Sequence, residues 1–382
     1  MILKRLLRLK NRPRNPQKRI IGYNQYLKSN YDKRVLVSYL VPPVLDELES
    51  RPTPLFSNNG AGRTIPKVLN QLGYVVDVIN WDDTGPIEGE YDIVIYHGGK
   101  NFANIEKLKS ADNKLVYYST GSYWKYHNSQ EERRAEYFKQ RHNMEYKLDR
   151  KIADSEELAN KNADAIIVLG NRDAAKTYSG FKDVYNLEGA SMSIKNPRKI
   201  LETKSGKLGF LFMAGPGNLH KGLDIILDAW QKLPNNFELH IITYLDGEFT
   251  SIYKDVLYNT PNIHTHGYVL QRSSEYYEAI KDCQFSILMS CSEGSPGSAI
   301  ESLHQGLIPV LSKESHVDVD GHGYTLKDDR VETLVDLLNT INKLTSREIK
   351  SKQEKTRLWA EKKFTIKHYE DRLKEIIEEV TK

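Results

Sequence analysis

The chain has 382 residues, of which 39% are hydrophobic and 28% charged, and its formal net charge is +4. This length exceeds what a single hydrophobic core normally holds, so we expect two domains. The mean hydropathy of −0.58 is typical of a soluble globular protein. No run of about 18 apolar residues occurs, so no membrane-spanning helix is expected.

The first 19 residues are basic and amphipathic. They contain eight Lys or Arg and no acidic residue, so the net charge of +4 less these eight leaves −4 for the rest of the chain. On a helical wheel the apolar side is formed by Ile2, Leu3, Leu6, Leu7 and Leu9. The opposite side is basic and is formed by Lys4, Arg5 and Arg8. This pattern predicts a helix on an anionic membrane surface, with a disordered basic tail as the alternative. Because no basic stripe continues into the remaining chain, we expect no nucleic-acid partner.

The two cysteines, Cys283 and Cys291, bracket one predicted strand. Eight residues of strand separate them by about 26 Å, which is beyond disulfide reach. They are therefore interpreted as core thiols in a reducing cytoplasm.

Strand-like and helical runs alternate along the first half of the chain, which is typical of parallel α/β layers. The predicted strands are 35–41, 74–79, 92–96, 114–118, 165–169 and 184–187. The longest charged segment between them, residues 130–162, predicts one or two long helices. A polar stretch at 191–207 has few apolar residues and indicates an interdomain linker.

The alternation restarts after this linker. Strands are predicted at 208–213, 238–244, 262–266, 284–289 and 308–311, with helices near 221–232, 273–282 and 297–305. Residues 345–382 form a charged helical tail with three apolar anchors, Trp359, Phe364 and Tyr369. The pattern predicts an α/β fold of two Rossmann-like domains with a cleft between them.

The first motif follows strand 208–213. The strand ends in Gly215-Pro216-Gly217, and Lys221 stands at the start of an amphipathic helix. Glycines let a backbone approach a ligand, and a lysine at a helix amino end favours phosphate. The motif is neither a Walker A loop nor G-x-G-x-x-G, because position 220 is a histidine and Gly222 replaces Ser or Thr. This disfavours an NAD-dependent dehydrogenase.

The second motif is a small-residue loop between Glu293 and Glu301, which lie eight positions apart after a buried strand. At the carboxyl end of a parallel sheet, such a loop lets backbone amides close on a polar ligand while each glutamate binds hydroxyl groups.

Together the two motifs resemble the carboxyl-terminal domain of family 4 retaining glycosyltransferases, over about residues 208–312. This family includes enzymes of bacterial cell-surface polysaccharide and lipopolysaccharide synthesis. The resemblance implies the GT-B fold, in which two Rossmann-like domains face each other across a cleft and a carboxyl-terminal helix crosses back. The domains would be the basic segment (1–20), an acceptor domain (21–195), a nucleotide-sugar donor domain (205–360) and the crossing helix (361–382), with Trp359 and Phe364 marking the crossing.

The resemblance also assigns site residues. Lys221 would bind the donor diphosphate, Glu301 the ribose hydroxyls and Glu293 the transferred sugar. Lys221, Glu293 and His127 would be the catalytic residues. The other donor-binding residues would be Gly217, Ser295, Pro296, Gly297, Ser298 and, in the first domain, Gly60. In the family, the loop that contains Gly60, Ala61 and Gly62 approaches the donor phosphates and the acceptor; a plain helix start with Asn59 as its cap is the alternative.

The chain departs from the family in two places. Many members have an arginine just after the strand that precedes the lysine, but the turn at 215–217 offers none; Arg272 is a candidate, with a surface role as the alternative. Many members also place a histidine at the end of a first-domain strand, where this chain has Ser119. His127 or His97 is then the candidate imidazole.

Two acidic motifs are weaker candidates. Asp318-Val319-Asp320 has the D-x-D form of a metal site, but it lies in a loop near the far end of the chain, and Trp81-Asp82-Asp83 is interpreted as a strand terminus. No histidine cluster with metal spacing and no catalytic triad is recognised. We expect neither a metal nor a cofactor.

The predicted reaction is transfer of a sugar, with retention, from a UDP-, GDP- or dTDP-sugar to a saccharide or lipid-linked acceptor. The leaving phosphate would take the acceptor proton, and Lys221 would stabilise its charge. Aromatic residues near the cleft are candidates to stack on sugar rings, with core packing of some of the tyrosines as the alternative: Tyr117, Tyr118, Tyr123, Trp124 and Tyr126. The predicted location is the cytoplasm, with peripheral association at the inner face of the membrane. The alternatives are a nucleotide-sugar epimerase or hydrolase and a non-catalytic nucleotide-sugar-binding protein.

Overall fold

The computed structural model describes residues 19–382 apart from 30–31, 52–56, 193, 195–197 and 201–205. The chain divides into two compact units. We call them the N-unit, formed by Met1–Tyr118, Ser155–Ile166 and Leu373–Lys382, and the C-unit, formed by Ser119–Asp154 and Ile167–Arg372. Among the described residues, no helix is long and apolar enough to cross a membrane.

The basic segment predicted to contact a membrane, residues 1–19, lies outside the described residues except for Arg19. The Arg19 guanidinium forms an ion pair with Asp83, with Nε and Oδ2 2.7 Å apart. Asp83 also accepts a hydrogen bond from the backbone N–H of Gly85 at 2.9 Å. These contacts agree with the interpretation of Trp81-Asp82-Asp83 as a strand terminus, because Asp83 follows strand 75–80 by three residues.

A sheet forms the core of the N-unit. Its strands are β1 (Ile20–Tyr23), β2 (Arg34–Tyr39), β3 (Val75–Asn80), β4 (Ile93–Tyr96) and β5 (Lys114–Ser119), and their order is β1-β3-β2-β4-β5. The pairs are parallel except for β1, which is antiparallel to β3. The sequence predicts all of these strands except β1, because a four-residue edge strand has too little periodicity to be recognised. Strands β6 (Ala165–Leu169) and β7 (Val184–Leu187) follow along the chain as predicted.

The N-unit helices are α1 (Pro42–Leu48), α2 (Ser57–Gln71), α3 (Phe102–Ile105) and, after a longer helix described below, α5 (Glu156–Lys161). Helix α2 corrects one expectation. Gly60, Ala61 and Gly62 were expected in a loop or at a helix start with Asn59 as the N-cap residue. All four residues instead lie inside α2, which begins at Ser57. A Cβ on Gly62 would lie 3.1 Å from Leu40 and Pro43, so the small residues let α2 pack closely on the segment that follows β2.

The C-unit contains a fully parallel sheet. Its strands are β8 (Leu208–Met213), β9 (Phe237–Ile242), β10 (Ile263–Gly267), β11 (Cys283–Leu288), β12 (Ile308–Ser312) and β13 (Tyr324–Leu326), in the order β10-β9-β8-β11-β12-β13. This is the strand order of a Rossmann fold, and it reverses between β8 and β11. The crevice for a ligand is therefore expected at the carboxyl ends of these two strands.

Aromatic stacking joins β8 to β11. The rings of Phe210 and Phe285 lie 4.7 Å apart and nearly parallel, and the Trp230 ring packs edge-on against Phe210 at 5.3 Å. Helix α6 (Arg172–Lys176) packs on β7. The helices that follow it in the C-unit, before the helical tail, are α7 (Leu223–Trp230), α8 (Gly247–Ile252), α9 (Lys254–Asn259), α10 (Ser274–Ile280), α11 (Gly297–His304) and α12 (Val331–Ile341). Cys283 and Cys291 are buried free thiols, as predicted.

Helix α4 (Trp124–His142) covers the first part of the long helical segment predicted at 130–162. It begins earlier than predicted and ends at His142, because Asn143 adopts the left-handed conformation (φ 52°) and donates its N–H to the Lys139 carbonyl. Apart from α5, the rest of the predicted segment is irregular. Although α4 follows β5 in the chain, it belongs to the C-unit.

Helices α13 (Ser346–Lys363) and α14 (Ile366–Val380) form the predicted helical tail. Thr345 and Glu348 make a capping box at the start of α13. The Trp359 ring stacks on His322 at 5.0 Å and meets Phe364 edge-on at 5.1 Å, and all three residues lie in the C-unit. This corrects the expectation that Trp359 and Phe364 mark the crossing to the first domain, since only the segment from Leu373 onward belongs to the N-unit.

Candidate functional site

The crevice at the carboxyl ends of β8 and β11 is formed by two tight backbone approaches. Gly222 has a φ of 74°, and a Cβ there would collide with the Met289 carbonyl at the end of β11. Gly294 would meet the carbonyl oxygens of Thr120 and Leu169 in the same way. Only glycine fits either position. Gly222 thus lets the turn after β8 approach the end of β11, and Gly294 lets the loop after β11 approach Thr120 and Leu169.

Lys221 and Glu293 meet in this crevice. The Lys221 ammonium forms an ion pair with Glu293 Oε1, and the Ser290 hydroxyl donates to the same oxygen at 2.8 Å. Burial alone would raise the pKa of the Glu293 carboxyl, but Lys221 and His220 beside it hold that pKa well below its usual range. Glu293 is therefore ionised at neutral pH, and two residues that the sequence places 72 positions apart form one charged site.

The Glu293 backbone is also held in place. Its N–H donates to the Glu314 carbonyl at 2.9 Å, while its own carbonyl accepts from His316 Nδ1 at 2.8 Å and from the Ser122 hydroxyl at 3.2 Å. Because both polar groups of this peptide are bonded, the loop presents the Glu293 side chain in one direction.

His220 connects Glu293 to helix α4. Its Nδ1 is hydrogen-bonded to the Glu131 carboxylate, and its Nε2 lies 3.3 Å from Glu293 Oε1. Burial alone would lower the pKa of His220, but hydrogen bonds with Cys291, Glu131 and Glu293 raise it to about 10. The imidazole is thus a buried cation between two carboxylates, a role that sequence reasoning missed because Glu131 lies in a helix about 90 residues away.

His127, the predicted catalytic histidine, lies in the first turn of α4. Its Nε2 donates to the Arg150 carbonyl at 2.8 Å, and its Nδ1 lies 3.2 Å from the Ser292 hydroxyl. Burial lowers the pKa of His127, so the ring is neutral at pH 7. Both nitrogens are hydrogen-bonded in the structure, and the catalytic role of His127 remains a prediction.

The other two positions considered for this histidine lie elsewhere. Ser119 ends β5, where its hydroxyl accepts from Tyr178 and donates to the Gly121 carbonyl, both at 2.7 Å. His97 belongs to the N-unit and follows β4; its Nδ1 lies 2.9 Å from the Tyr118 carbonyl. Burial lowers the pKa of His97, which leaves this ring neutral as well.

Glu301, expected to bind ribose, is completely buried in α11. Arg272 holds its carboxylate at 2.9 and 2.7 Å, and Ser191 and Gln305 donate to it at 3.1 and 3.0 Å. Arg272 is therefore engaged by Glu301, which corrects its candidacy as the second diphosphate-binding cation. The ribose-binding role of Glu301 remains a prediction.

Helix α11 begins in the predicted donor loop. Pro296 is its N-cap residue, and Gly297 and Ser298 supply the first amides, which have no carbonyl partner within the helix. Ser295 accepts a hydrogen bond from the Gly189 N–H at 2.9 Å through its hydroxyl, so this side chain supports the backbone of a neighbouring segment. The amino end of α11 is suited to an anion.

Arg150 is the cation that sequence reasoning missed at the turn after β8. The turn places Gly217 at φ 99°, and a Cβ on Gly217 would lie 3.1 Å from Cγ and Cδ of Arg150. Arg150 is solvent-exposed and comes from the irregular segment after α4. A contact between segments 67 residues apart has no local sequence signal.

The aromatic residues predicted to stack on sugars divide into two groups. Tyr117 and Tyr118 are buried in the core, which corrects the expectation that they are exposed to a ligand. Tyr123, Trp124 and Tyr126 are half-buried near the start of α4, and the Tyr126 hydroxyl donates to Glu314 at 2.6 Å.

No metal is assigned to the acidic or histidine clusters. Asp318 accepts from Asn171 and Asp320 pairs with Lys363, at 2.6 and 2.9 Å, so the two carboxylates have separate partners. His127, Glu131 and His220 bring ligand atoms within 4.8 Å of one another. Protein hydrogen bonds already occupy these atoms, and we describe the three as a hydrogen-bonded group.

Comparison with known proteins identifies the class of this site. Residues 209–343 match the family described as glycosyl transferases group 1. A search of curated proteins finds no match. The matched residues include both Lys221 and Glu293.

Solved structures resemble the whole chain at low identity. Sucrose-phosphate synthase from Thermosynechococcus elongatus has a TM-score of 0.63 at 11% identity, covering 92% of this chain and 99% of its own. A glycosyltransferase from Rickettsia africae has a TM-score of 0.60 at 13% identity, covering 92% and 100%. HepE from Anabaena, in complex with UDP and glucose, has a TM-score of 0.58 at 14% identity, covering 91% and 99%. The chain therefore has the GT-B fold with two Rossmann-like domains, which confirms the predicted fold class.

Proposed function

Because residues 209–343 form a group 1 glycosyltransferase domain within a GT-B fold, we propose that this chain is a retaining glycosyltransferase that uses a nucleotide-diphosphate sugar. The observation that carries the proposal is the meeting of Lys221 and Glu293 in the crevice where the C-unit strand order reverses. A Rossmann-type sheet binds its ligand at that position, and the amino end of α11 lies at the end of the same loop.

The donor diphosphate would bind between three positive elements. Lys221 supplies an ammonium, the first amides of α11 supply hydrogen-bond donors, and Arg150 supplies a guanidinium beside the glycine turn. Arg150 would thus take the place of the arginine that many related enzymes have after the preceding strand.

Binding of the diphosphate would rearrange one ion pair. Lys221 is paired with Glu293 in the structure, and the more highly charged diphosphate would compete for its ammonium. Once released, the Glu293 carboxylate can accept hydrogen bonds from hydroxyls of the transferred sugar. Negative charge then develops on the leaving diphosphate, where Lys221 stabilises it in the transition state.

Retention is proposed from the resemblance to retaining glycosyltransferases. No described residue pair in the crevice is arranged for double displacement, so we propose transfer on one face of the sugar without a protein nucleophile. Glu293 is bonded to Lys221, Ser290 and His220, and its neighbour Glu131 is bonded to His220 behind it. We assign neither carboxylate as a nucleophile. The leaving phosphate would accept the proton of the acceptor hydroxyl on the same face of the sugar.

The N-unit is proposed to bind the acceptor, which we infer to be a saccharide or a lipid-linked saccharide of surface polysaccharide or glycolipid synthesis. At the carboxyl end of β4, the half-buried rings of His97 and Trp81 lie 6.1 Å apart. Aromatic rings of this kind suit an uncharged sugar. The basic pattern of residues 1–19 supports peripheral binding to the inner face of the cytoplasmic membrane.

A thermal-shift panel tests the donor site. UDP is the first nucleotide to try, because HepE is described in complexes with UDP and with UDP-glucose; GDP, dTDP, ADP and NAD complete the panel. A ligand at 100 times its Kd stabilises the folded state by about 2.7 kcal/mol, so one nucleoside diphosphate should raise the Tm by about 5 °C. The shift should disappear in Lys221→Ala and persist in Lys232→Ala, a surface lysine paired with Glu332.

The reaction is tested with the selected nucleotide sugar and a panel of free saccharides. We expect a glycoside whose anomeric configuration, read by proton NMR, equals that of the donor. Inversion would overturn the retaining mechanism. Release of free sugar without any glycoside would indicate a hydrolase, and stabilisation by NAD alone, or by no nucleotide, would overturn the donor site.

A further inference from the structure

Four side chains form a continuous chain of contacts that runs from helix α4 into the crevice. Glu131 bonds His220 Nδ1, His220 Nε2 lies 3.3 Å from Glu293, and Glu293 pairs with Lys221. Glu131 and His220 are 2% and 1% exposed, whereas Lys221 and Glu293 at the other end are each 12% exposed. Charge alternates along the chain, and its inner half is inaccessible to a ligand.

The two cations in this chain have different freedom. His220 is held by Glu131 on one side, and its backbone carbonyl accepts from the Cys291 N–H at 2.9 Å. Lys221 lies at the mouth, where the proposed function has the diphosphate bind it. When the Lys221 ammonium turns to the diphosphate, His220 is the cation among these four side chains that still contacts Glu293.

We propose that His220, anchored by Glu131, is a positioning residue that holds the Glu293 carboxylate toward the donor sugar after the diphosphate has drawn Lys221 away. This inference rests on the proposed function. It adds a role for Glu131, and it predicts that the donor sugar, not the nucleotide, depends on a histidine that no ligand touches.

The charged and titratable groups that the structure places around His220 come from helix α4, from the loop after β11 and from the neighbouring residue in sequence. Helix α4 contributes three: Glu131 on Nδ1, His127 with its ring 5.3 Å away, and Arg134, which donates to the Leu219 carbonyl at 2.9 Å. The loop after β11 contributes Cys291, with Sγ 3.5 Å from Nδ1, and Glu293, and the neighbouring residue is Lys221.

The protonation states of these groups are consistent with a permanent cation at position 220. Burial raises the pKa of Cys291 and lowers that of His127, so both are neutral at pH 7, whereas His220 binds its proton up to about pH 10. Without this proton, burial would raise the pKa of Glu293 whenever Lys221 is bound to the diphosphate.

Two substitutions at position 220 separate the two bonds of the ring. The amide of His220→Asn can replace Nδ1 and keep the bond to Glu131, but it does not reach Glu293. The longer amide of His220→Gln can replace Nε2 and donate to Glu293. Glu131→Gln is the second variant, because it removes the anchoring charge without changing the size of a buried side chain.

The readout is the affinity for UDP compared with that for UDP-glucose, or for the corresponding pair with the base that the thermal-shift panel selects. In His220→Asn we expect the Kd of the nucleotide sugar to rise about tenfold, because a hydrogen bond to a charged group is lost. The Kd of the nucleoside diphosphate should stay within about twofold. His220→Gln should recover most of the loss, and Glu131→Gln should show a smaller loss of the same kind.

His142→Asn is the matched control. His142 lies on the same helix as Glu131 and bonds a carboxylate, with Nε2 2.9 Å from Asp228, but it lies outside the four-residue chain. Neither affinity should change in this variant. A purely structural role of His220 would lower both affinities together, and that result would overturn the inference.

A pH profile gives a second readout. Between pH 8 and pH 6 the nucleotide-sugar affinity of the unsubstituted chain should be flat relative to that for the nucleoside diphosphate. In His220→Asn it should fall toward pH 6, because Glu293 then takes up a proton. A flat profile in the variant would overturn the inference while leaving the proposed function intact. If the unsubstituted chain binds no nucleotide at all, the proposed function itself fails.

Discussion

The two units of the chain treat charge differently. In the C-unit, the Arg134 guanidinium is 1% exposed and pairs with Asp329 at 2.7 Å and with Asp224 at 3.6 Å. In the N-unit, Arg34 pairs with Asp77 at 2.6 Å, but its side chain is 40% exposed. In the N-unit a buried aspartate pairs with an arginine at the surface, whereas in the C-unit two buried aspartates pair with an arginine in the interior.

This difference follows the ligands that we propose for each unit. The Arg134 guanidinium donates to the carbonyls of Leu219 and Met289, which belong to the two segments that form the crevice. Binding of a charged nucleotide sugar requires charged side chains in fixed positions. A buried network of ion pairs holds them there, and removing one of its members lowers the stability of the fold. The carboxyl edge of the N-unit sheet instead surrounds His97 with aromatic rings, which suit a neutral acceptor.

The largest expected effect is on Arg134. Arg134→Met leaves the carboxylates of Asp224 and Asp329 buried without their cation, which should lower the free energy of unfolding by about 3–5 kcal/mol. The matched substitution in the N-unit, Arg34→Met, should cost only about 1–2 kcal/mol, because Asp77 keeps its hydrogen bonds from the Gly22 N–H and the Tyr91 hydroxyl, both at 2.8 Å. Urea unfolding of both variants measures the contrast. Equal losses would show that the two units do not differ in how they use charge.

Sequence reasoning predicted the elements that have strong local signals. The fully buried strands β8 and β11, the glycine turn after β8 and the two-glutamate loop were located within two residues. Gly222 and Gly294 explain this success, because a close approach of two backbones requires a specific residue at a specific position. The fold class followed from the alternation of strands and helices.

Contacts between distant segments could not be predicted in the same way. The bond from Glu131 to His220 and the packing of Arg150 on Gly217 join α4 and its following segment to the turn after β8. Residues 124–154 are grouped with the C-unit, whereas the domain bounds expected from the sequence, 21–195 and 205–360, remain a prediction. His240, His264 and His266 were missed as a cluster, because only the register of β9 and β10 brings them together.

These three histidines provide a pH-dependent test of the C-unit. His240 Nδ1 lies 3.1 Å from His266 Nε2, and the His264 ring lies 4.7 Å from that of His240. Burial and the two neighbouring rings lower the pKa of His240 to about 4. As the pH falls below about 6.5, the unfolded chain takes up a proton that the folded chain does not bind. Stability is therefore lost between about pH 6.5 and pH 4, and His240 causes no further loss below that range.

The expected loss from His240 is about 2 kcal/mol, because solvent at this partly exposed edge screens some of the repulsion. Urea unfolding at pH 7 and at pH 4 measures it. His240→Asn should remove that part of the pH dependence. His97→Asn is the comparison in the N-unit, because the His97 ring packs on aromatic groups instead of on other imidazoles. A pH dependence that is the same with and without His240 would contradict the assignment.

The smallest effect is expected at Arg150, and it determines whether the charged crevice of the C-unit has one mobile cation or two. Arg150→Ala should weaken binding of the nucleoside diphosphate about tenfold, or about 1.4 kcal/mol, because one of two cations beside the phosphates is lost. The affinity for the nucleoside without phosphates should not change, and the dependence of binding on salt should become weaker. Arg347→Ala, at an exposed arginine of α13, is the control and should leave all three quantities unchanged. If Arg150→Ala binds the diphosphate as the unsubstituted chain does, Lys221 and the amides of α11 are sufficient, and the stem of Arg150 only covers Gly217.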